Sequence, residues 1–268
     1  MSENLRDLAS DLIEHLSALD SPGLPVGSKS QLSNPDIAGE QLVEKEVEIV
    51  MAPMVQPTLD SETVAPVTSG IYDGMDLAAI RALAEGCTKC RLCETRNKVV
   101  FGTGKVERPL IAFVGEGPGA DEDRTGEPFV GRAGQLLTAA ITNGLGLRRE
   151  DVYICNVVKC RPPENRAPLP DETEACTQYL FRQLELIEPQ VIVTLGQPAQ
   201  MALSGVKQGI TKLRWQWLSW RGIKLMPTFH PSYLLHNQSL VLKRQCWEDL
   251  LAAMEKLGRP ISEKQQNY

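Results

Sequence analysis

From Tyr72 onward, short unbroken apolar runs alternate with stretches of helical spacing. The runs are Leu110–Val114, Tyr153–Val158 and Val191–Leu195, with a further extended stretch at Ile223–Phe229. Continuous apolar runs of this length suit strands covered on both faces, as in a parallel sheet. The stretches Gly134–Leu145, Asp171–Ile187, Pro198–Leu203 and Leu240–Leu257 read as helices, and Pro170 before Asp171 makes a sound N-terminus. The alternation predicts an α/β sandwich around a largely parallel sheet. Ligands of such folds sit beyond the carboxyl ends of the strands. Here those ends lead into GEGPG, CNVVKC, LGQPA and TFHPS, the least ordinary pieces of the chain. No internal repeat stands out.

The first 70 residues have a different texture. They contain no Phe, Tyr, Trp or Cys but six prolines, and Ser21–Ser69 is expected to be a disordered linker. Before it, Leu5, Leu8, Leu12, Ile13, Leu16 and Leu19 recur at helical spacing. This short amphipathic helix has nothing local to pack on, so docking on a protein partner, docking on the main domain and a merely transient helix all stay open. The division expected is an acidic extension over 1–70, a compact domain over 71–260 and a flexible tail over 261–268.

Charge changes the picture of what such a chain binds. The 268 residues carry a net charge of −6, but residues 1–70 hold 12 acidic and 3 basic side chains against 22 and 25 in the remainder. The acidity sits in the extension, so it does not argue against nucleic-acid binding by the domain. No apolar run is long enough to span a membrane. The start, MSENLRDLASDLIEHL, lacks the pattern of a signal peptide, so a reducing, cytoplasmic setting is expected.

Seven cysteines in that setting point to metal or chemistry rather than disulfides. Cys87 and Cys90 form a CxxC loop able to grip one metal centre, and Cys160 and Cys176 are the chosen completing pair. Cys155 falls in an apolar strand and Cys246 in the last helix, where small buried residues are expected. Cys93 extends the loop to CxxCxxC, which is harder to set aside. Spacing leaves zinc, a [4Fe-4S] cubane and a redox pair open.

The loops after the strands carry the remaining candidates. Gly115–Gly119 is glycine-rich but matches neither dinucleotide nor phosphate-loop patterns. Asp121, Glu122 and Asp123 after it suit a solvated acidic turn. Phe129, between prolines and glycines, suits either a core plug or an aromatic platform. Asn156 interrupts an apolar strand, and a buried amide must find hydrogen bonds, to backbone or to a ligand. His230, one of three histidines, sits at a strand-to-loop junction, where it either caps the next element or donates to developing negative charge. No nucleophile-elbow motif is present, which argues against an esterase. Lys159, Arg161, Arg166, Lys207, Lys212, Arg214, Arg221 and Lys224, with Trp215, Trp217 and Trp220 interleaved, suit a phosphate-facing surface.

Taken together, CxxC at Cys87, VVFGTG, GEGPGADEDRTGEPFVGRAG, CNVVKCRPPENR, the Cys176 helix and MPTFHPSYLL resemble the family 4 iron–sulfur uracil-DNA glycosylases. The resemblance spans roughly residues 83–257. It implies a three-layer α/β/α sandwich with a central four-stranded parallel sheet. It also implies a structural [4Fe-4S] cluster on Cys87, Cys90, Cys160 and Cys176, with Cys93 outside the ligand set. By the same resemblance Phe129 stacks on uracil, Asn156 bonds its polar edge, and the backbone at Glu116 and Gly117 helps bind O2. His230 then stabilises charge on the leaving base, Glu116 positions or activates water, and Ser232, Tyr233, Leu234 and Leu235 press on DNA. A covalently trapping subgroup carries an inserted basic run near the cluster; CRPPENRAPLPDETEAC has none, so turnover is expected. The implied protein is a monomer that excises uracil from DNA, and the rival reading is a metal-stabilised nucleic-acid-binding module. Zinc-dependent hydrolysis fails on ligand count, because four cysteines leave no open position for water.

Overall fold

The structure, a computed structural model, describes residues 72–267. The Leu5–Leu19 helix and the Ser21–Ser69 linker therefore lie outside the described residues. Six strands form one sheet: β1 (Thr103–Gly104), β2 (Ile111–Gly115), β3 (Tyr153–Asn156), β4 (Val191–Leu195), β5 (Leu218–Trp220) and β6 (Ile223–Thr228), in the order β1-β3-β2-β4-β6-β5. The four apolar runs make the parallel centre, β3-β2-β4-β6. The expected four-stranded parallel sheet is thus corrected to a six-stranded mixed one. The added strands β1 and β5 pair antiparallel at the two edges. They are two and three residues long, too short to carry a periodicity, and short edge strands discourage further pairing.

Every residue of β2, β3 and β4 is buried, because helices cover both faces. Ala112, Val114, Tyr153, Cys155, Ile192 and Leu225 point into one apolar layer, formed with α1 (Leu77–Glu85), α4 (Pro170–Ile187) and α5 (Gln197–Ser204). Ile111, Phe113, Ile154, Val191, Val193 and Met226 point the other way, towards α3 (Arg132–Ala139) and α8 (Leu240–Lys256). The result is a three-layer α/β/α domain with a core on each side of the sheet. Short helices α2 (Ala120–Thr125), α6 (Ile210–Leu213), α7 (Pro231–His236) and α9 (Glu263–Gln266) complete the described chain. Among the described residues no helix is long and apolar enough to cross a membrane.

Two local departures have plain causes. The Gly134–Leu145 stretch starts earlier, at Arg132, and its last turn, Ala140–Gly144, widens to a π turn in which Leu145 N–H reaches the Ala140 carbonyl at 2.8 Å. Within the stretch 261–268, Glu263–Gln266 forms α9, where the Gln265 side chain donates to the Gly144 carbonyl at 2.8 Å and its carbonyl accepts from the Trp247 indole at 2.7 Å. A Ser262–Gln265 capping box starts that turn.

Candidate active site

Strand register decides what meets at the carboxyl edge of the sheet. Gly115 is paired with Asn156 across β2 and β3, and Leu195 with Thr228 across β4 and β6. Past the ladder, Val157 and Val158 N–H still donate to the Gly115 and Glu116 carbonyls, at 2.9 and 3.1 Å. The GEGPG loop is therefore fixed beside Asn156. Asn156 is 1% exposed, and its Oδ1 makes no hydrogen bond to a described residue. A Cβ on Gly115 would lie 2.4 Å from that oxygen and 2.5 Å from Cζ of Phe129. Amide and aromatic ring thus share one wall, and only glycine leaves both in place. A buried, unpartnered acceptor is costly, and such groups gather where ligands bind.

Phe129 is held in place from several sides. Its φ is +54°, a left-handed conformation that bulky residues avoid. Arg149 donates to the Pro128 carbonyl at 2.6 Å, to the Phe129 carbonyl at 3.0 Å and to the Thr138 hydroxyl at 2.7 Å. Gly134 lies so close beneath that an added Cβ would fall 1.9 Å from the Phe129 carbonyl carbon. The Glu122 carboxylate accepts from Gly119, Val130 and Gly131 N–H at 3.1, 2.8 and 2.8 Å, closing the loop that carries the ring. Asp123 accepts from the backbone and amide of Asn97. The acidic turn is therefore not solvated as a unit: Glu122 and Asp123 are buried and serve as loop clamps. No signal in one sequence separates a clamping carboxylate from a solvated one.

The Phe129 ring lies 5.7 Å, centre to centre, from His230. His230 follows β6 and caps α7: its Nδ1 accepts from Ser232 N–H at 3.2 Å and meets the Ser232 hydroxyl at 2.6 Å. A backbone N–H can only donate, so the ring proton sits on Nε2. Burial pushes the His230 pKa down to about 4, with Glu122 pulling more weakly the other way. The imidazole is therefore neutral at neutral pH, and it is both cap and available donor. Glu116 is half-buried, and desolvation raises its carboxyl above the usual range.

The structure divides the other sequence candidates. Tyr233 is 47% exposed and Leu235 half-buried, but Leu234, at 6%, faces inward against Ile210 and Phe229. Leu234, expected with them to press on DNA, is packed here as the apolar side chain beneath α7. Among the basic residues, Arg166 forms two hydrogen bonds with Glu172, Arg214 lies 3.3 Å from Asp249, and Arg221 pairs with Glu185. Lys224 opens β6 at the opposite edge, and Lys159 is buried. The expected phosphate surface is reduced to Arg161, Lys207 and Lys212, beside an exposed Trp215.

On the α1–α4 side of the sheet, Cys87, Cys90, Cys93, Cys160 and Cys176 line one small cavity with Arg96, Lys159 and Tyr179. Among the described residues, no three His, Cys, Asp or Glu side chains converge on a single ion. Five thiols and no carboxylate line the cavity, a soft donor set. Arg96 donates to Cys160 Sγ at 3.3 Å, and Lys159 N–H to Cys176 Sγ at 3.2 Å. Such donors support thiolate ligands. Burial raises Cys160 and pushes Cys176 up to about 12, a balance that a bound cation reverses. The donor set therefore fits a thiolate-bound metal group. Cys155 is buried in β3, and Cys246 lies against Thr228 at 3.4 Å, away from that cavity.

An aromatic ring, an amide oxygen without a partner among the described residues and a neutral histidine thus meet at the carboxyl edge of the parallel strands, where ligands of open α/β sheets sit. The model of the uracil DNA glycosylase superfamily matches residues 101–251. A type-4 uracil-DNA glycosylase of Thermotoga maritima is 54% identical over 166 residues, covering 61% of this chain and 85% of that protein. Type-4 enzymes of Archaeoglobus fulgidus and Saccharolobus solfataricus are 43% and 42% identical, covering 67% and 71% of this chain and 90% of each relative. The chain belongs to the uracil-DNA glycosylase superfamily, in its type-4 family.

Proposed function

We propose that the protein is a monofunctional uracil-DNA glycosylase that hydrolyses the N-glycosidic bond of deoxyuridine in single- or double-stranded DNA. It releases uracil and leaves an abasic site for base excision repair. The observation that carries the reading is the shared wall of Phe129 and Asn156, with neutral His230 beside it.

The target base must leave the stack, at a cost of a few kcal/mol. Phe129 stacks on the flipped uracil. Asn156 Oδ1, an acceptor without a partner among the described residues, takes the N3–H, and the amide nitrogen donates to O4. Cytosine presents the reversed pattern at these atoms and is rejected. As the C1′–N1 bond breaks, its electron pair moves onto uracil and negative charge gathers at O2. Backbone at Glu116 and Gly117 and Nε2–H of His230 donate to that oxygen. A neutral imidazole can donate there without first losing a proton. Water held by Glu116 adds to C1′, and the carboxylate takes its proton. Tyr233 and Leu235, with Ser232 beside them, meet the DNA next to the flipped nucleotide.

Cys87, Cys90, Cys160 and Cys176 would hold a [4Fe-4S] cluster in the cysteine cavity, with Cys93 outside the ligand set. When bound, the cluster supplies a structural cross-link between the CxxC segment, the Lys159–Arg166 loop and α4. Among the described residues no lysine stands out as a Schiff-base nucleophile, so strand incision is not expected. The protein acts as a monomer in the cytoplasm, associated with the nucleoid, and the Leu5–Leu19 helix is a candidate contact for a protein partner. The rival, a metal-stabilised DNA-binding module, has no use for the Asn156 amide or for His230.

The test is an oligonucleotide carrying one uracil, incubated with the iron-loaded full chain. Free uracil and an intact strand with an alkali-labile site are expected. Tight DNA binding with no uracil released, from either single- or double-stranded substrate, would establish the binding module instead.

A further inference from the structure

Lys159 is the only lysine or arginine buried among the described residues, at 2% exposure, and it touches both sites described above. Its Nζ donates to the carbonyl of Asn156 at 2.8 Å, and the residue is among those lining the cysteine cavity. Its backbone is fixed independently: the N–H donates to Cys176 Sγ at 3.2 Å, and the carbonyl accepts from Val100 N–H at 2.8 Å. The ring of Phe101 lies 5.8 Å from Nζ. No carboxylate forms an ion pair with it among the described residues; its ionisable neighbours are Cys155, Cys160 and Cys176. A lysine this buried is held by its hydrogen bond to the Asn156 carbonyl rather than by an ion pair.

We propose that Lys159 is a positioning residue that joins the cysteine cavity to the uracil-reading amide. By bonding the last carbonyl of β3, it fixes the peptide from which the Asn156 side chain projects into the pocket. Its own N–H, donated to Cys176 Sγ, ties the same residue to the cysteine cavity. That cavity then bears on base recognition through one residue as well as through loop anchoring. This rests on the uracil reading proposed above.

The test is a double-mutant cycle on the iron-loaded full chain, using Lys159→Met, Asn156→Ala and the pair. The readout is binding to an oligonucleotide with a non-hydrolysable 2′-fluoro-deoxyuridine, set against the same oligonucleotide with thymidine. Lys159→Met is expected to lower the preference for the uracil analogue about tenfold, the loss of one buried hydrogen bond. In the Asn156→Ala background the same change should cost nothing further, since the two groups act as a unit. Lys159→Met should also speed loss of iron to a chelator, whereas Asn156→Ala should not. Undiminished preference in Lys159→Met, or an equal loss in both backgrounds, would overturn the link. If the methionine variant does not fold, Lys159→Gln, too short to reach the Asn156 carbonyl, is carried through the same cycle, and the same two results support or overturn the link. Wild-type protein that binds both oligonucleotides equally would overturn the uracil reading itself, and this inference with it.

Discussion

A methyl group on Gly115 would lie 2.4 Å from Asn156 Oδ1 and 2.5 Å from Phe129 Cζ, both inside the space a base would enter. Gly115→Ala is therefore expected to remove most uracil release. Overpacking of this kind destabilises a fold by about 1–3 kcal/mol, so a thermal melt should still show a cooperative domain. Retention of wild-type release would mean that the wall is not where the base lies. His230 makes a prediction in pH. Its folded pKa, about 4, lies below the ordinary 6.5, so the unfolded chain binds the proton more readily between those values. The stability this neutral histidine contributes is complete above 6.5 and is lost as pH falls from there towards 4. Single-turnover uracil release measured from pH 8 downwards should show no loss attributable to His230 until pH nears 4. A loss centred near 6.5 would show that the imidazole is exposed. Phe129, Asn156 and His230 are all legible as candidates in the sequence, because each breaks the pattern of its surroundings. Only contacts separate them from ordinary packing and capping residues: the amide oxygen has no partner among the described residues, and the histidine caps with one nitrogen while its other carries the proton.

At the level of elements, continuous apolar runs locate the four central strands because burial on both faces leaves that mark in sequence. The edge strands leave none, since β1 is Thr103–Gly104 and β5 has one buried residue in three. The loop from Gly119 to Gly131 is legible as unusual but not as clamped, because Glu122 and Arg149 owe their roles to groups distant in sequence. Arg149→Ala leaves the Phe129 carbonyl without its charged donor and the left-handed turn without support. The expected outcome is a fall in stability of about 2 kcal/mol, in the range for hydrogen bonds to a charged group. It should be accompanied by a rise in KM for uracil-containing DNA larger than the fall in kcat. Denaturant unfolding and steady-state kinetics check the two halves, and unchanged KM would separate the arginine from the ring it holds. The cysteines divide in the same way. Spacing picks out Cys87 and Cys90, but only the fold brings Cys160 and Cys176 into their cavity and places Cys93 there too.

Across the whole molecule, charge is split between an acidic extension and a domain with a small positive balance. Deletion of residues 1–70 is expected to spare uracil release from short oligonucleotides, and loss of release would assign the extension a part in excision. Binding to DNA should weaken with added salt, because counterions return to the backbone as protein cations leave it. The slope should be shallow, given how many of the expected basic residues are buried or paired with carboxylates. A titration of affinity against salt concentration measures it, and a steep slope would require cations beyond Arg161, Lys207 and Lys212. The central claim is that one edge of the sheet both reads the base and stabilises it as it leaves. His230→Ala tests it most directly, by single-turnover release of uracil from a single-stranded oligonucleotide at saturating protein, with iron content matched to wild type. Loss of one preorganised donor to the departing oxygen predicts a rate about 10²–10³-fold lower, with DNA affinity and iron unchanged. A variant that releases uracil at the wild-type rate would contradict the account.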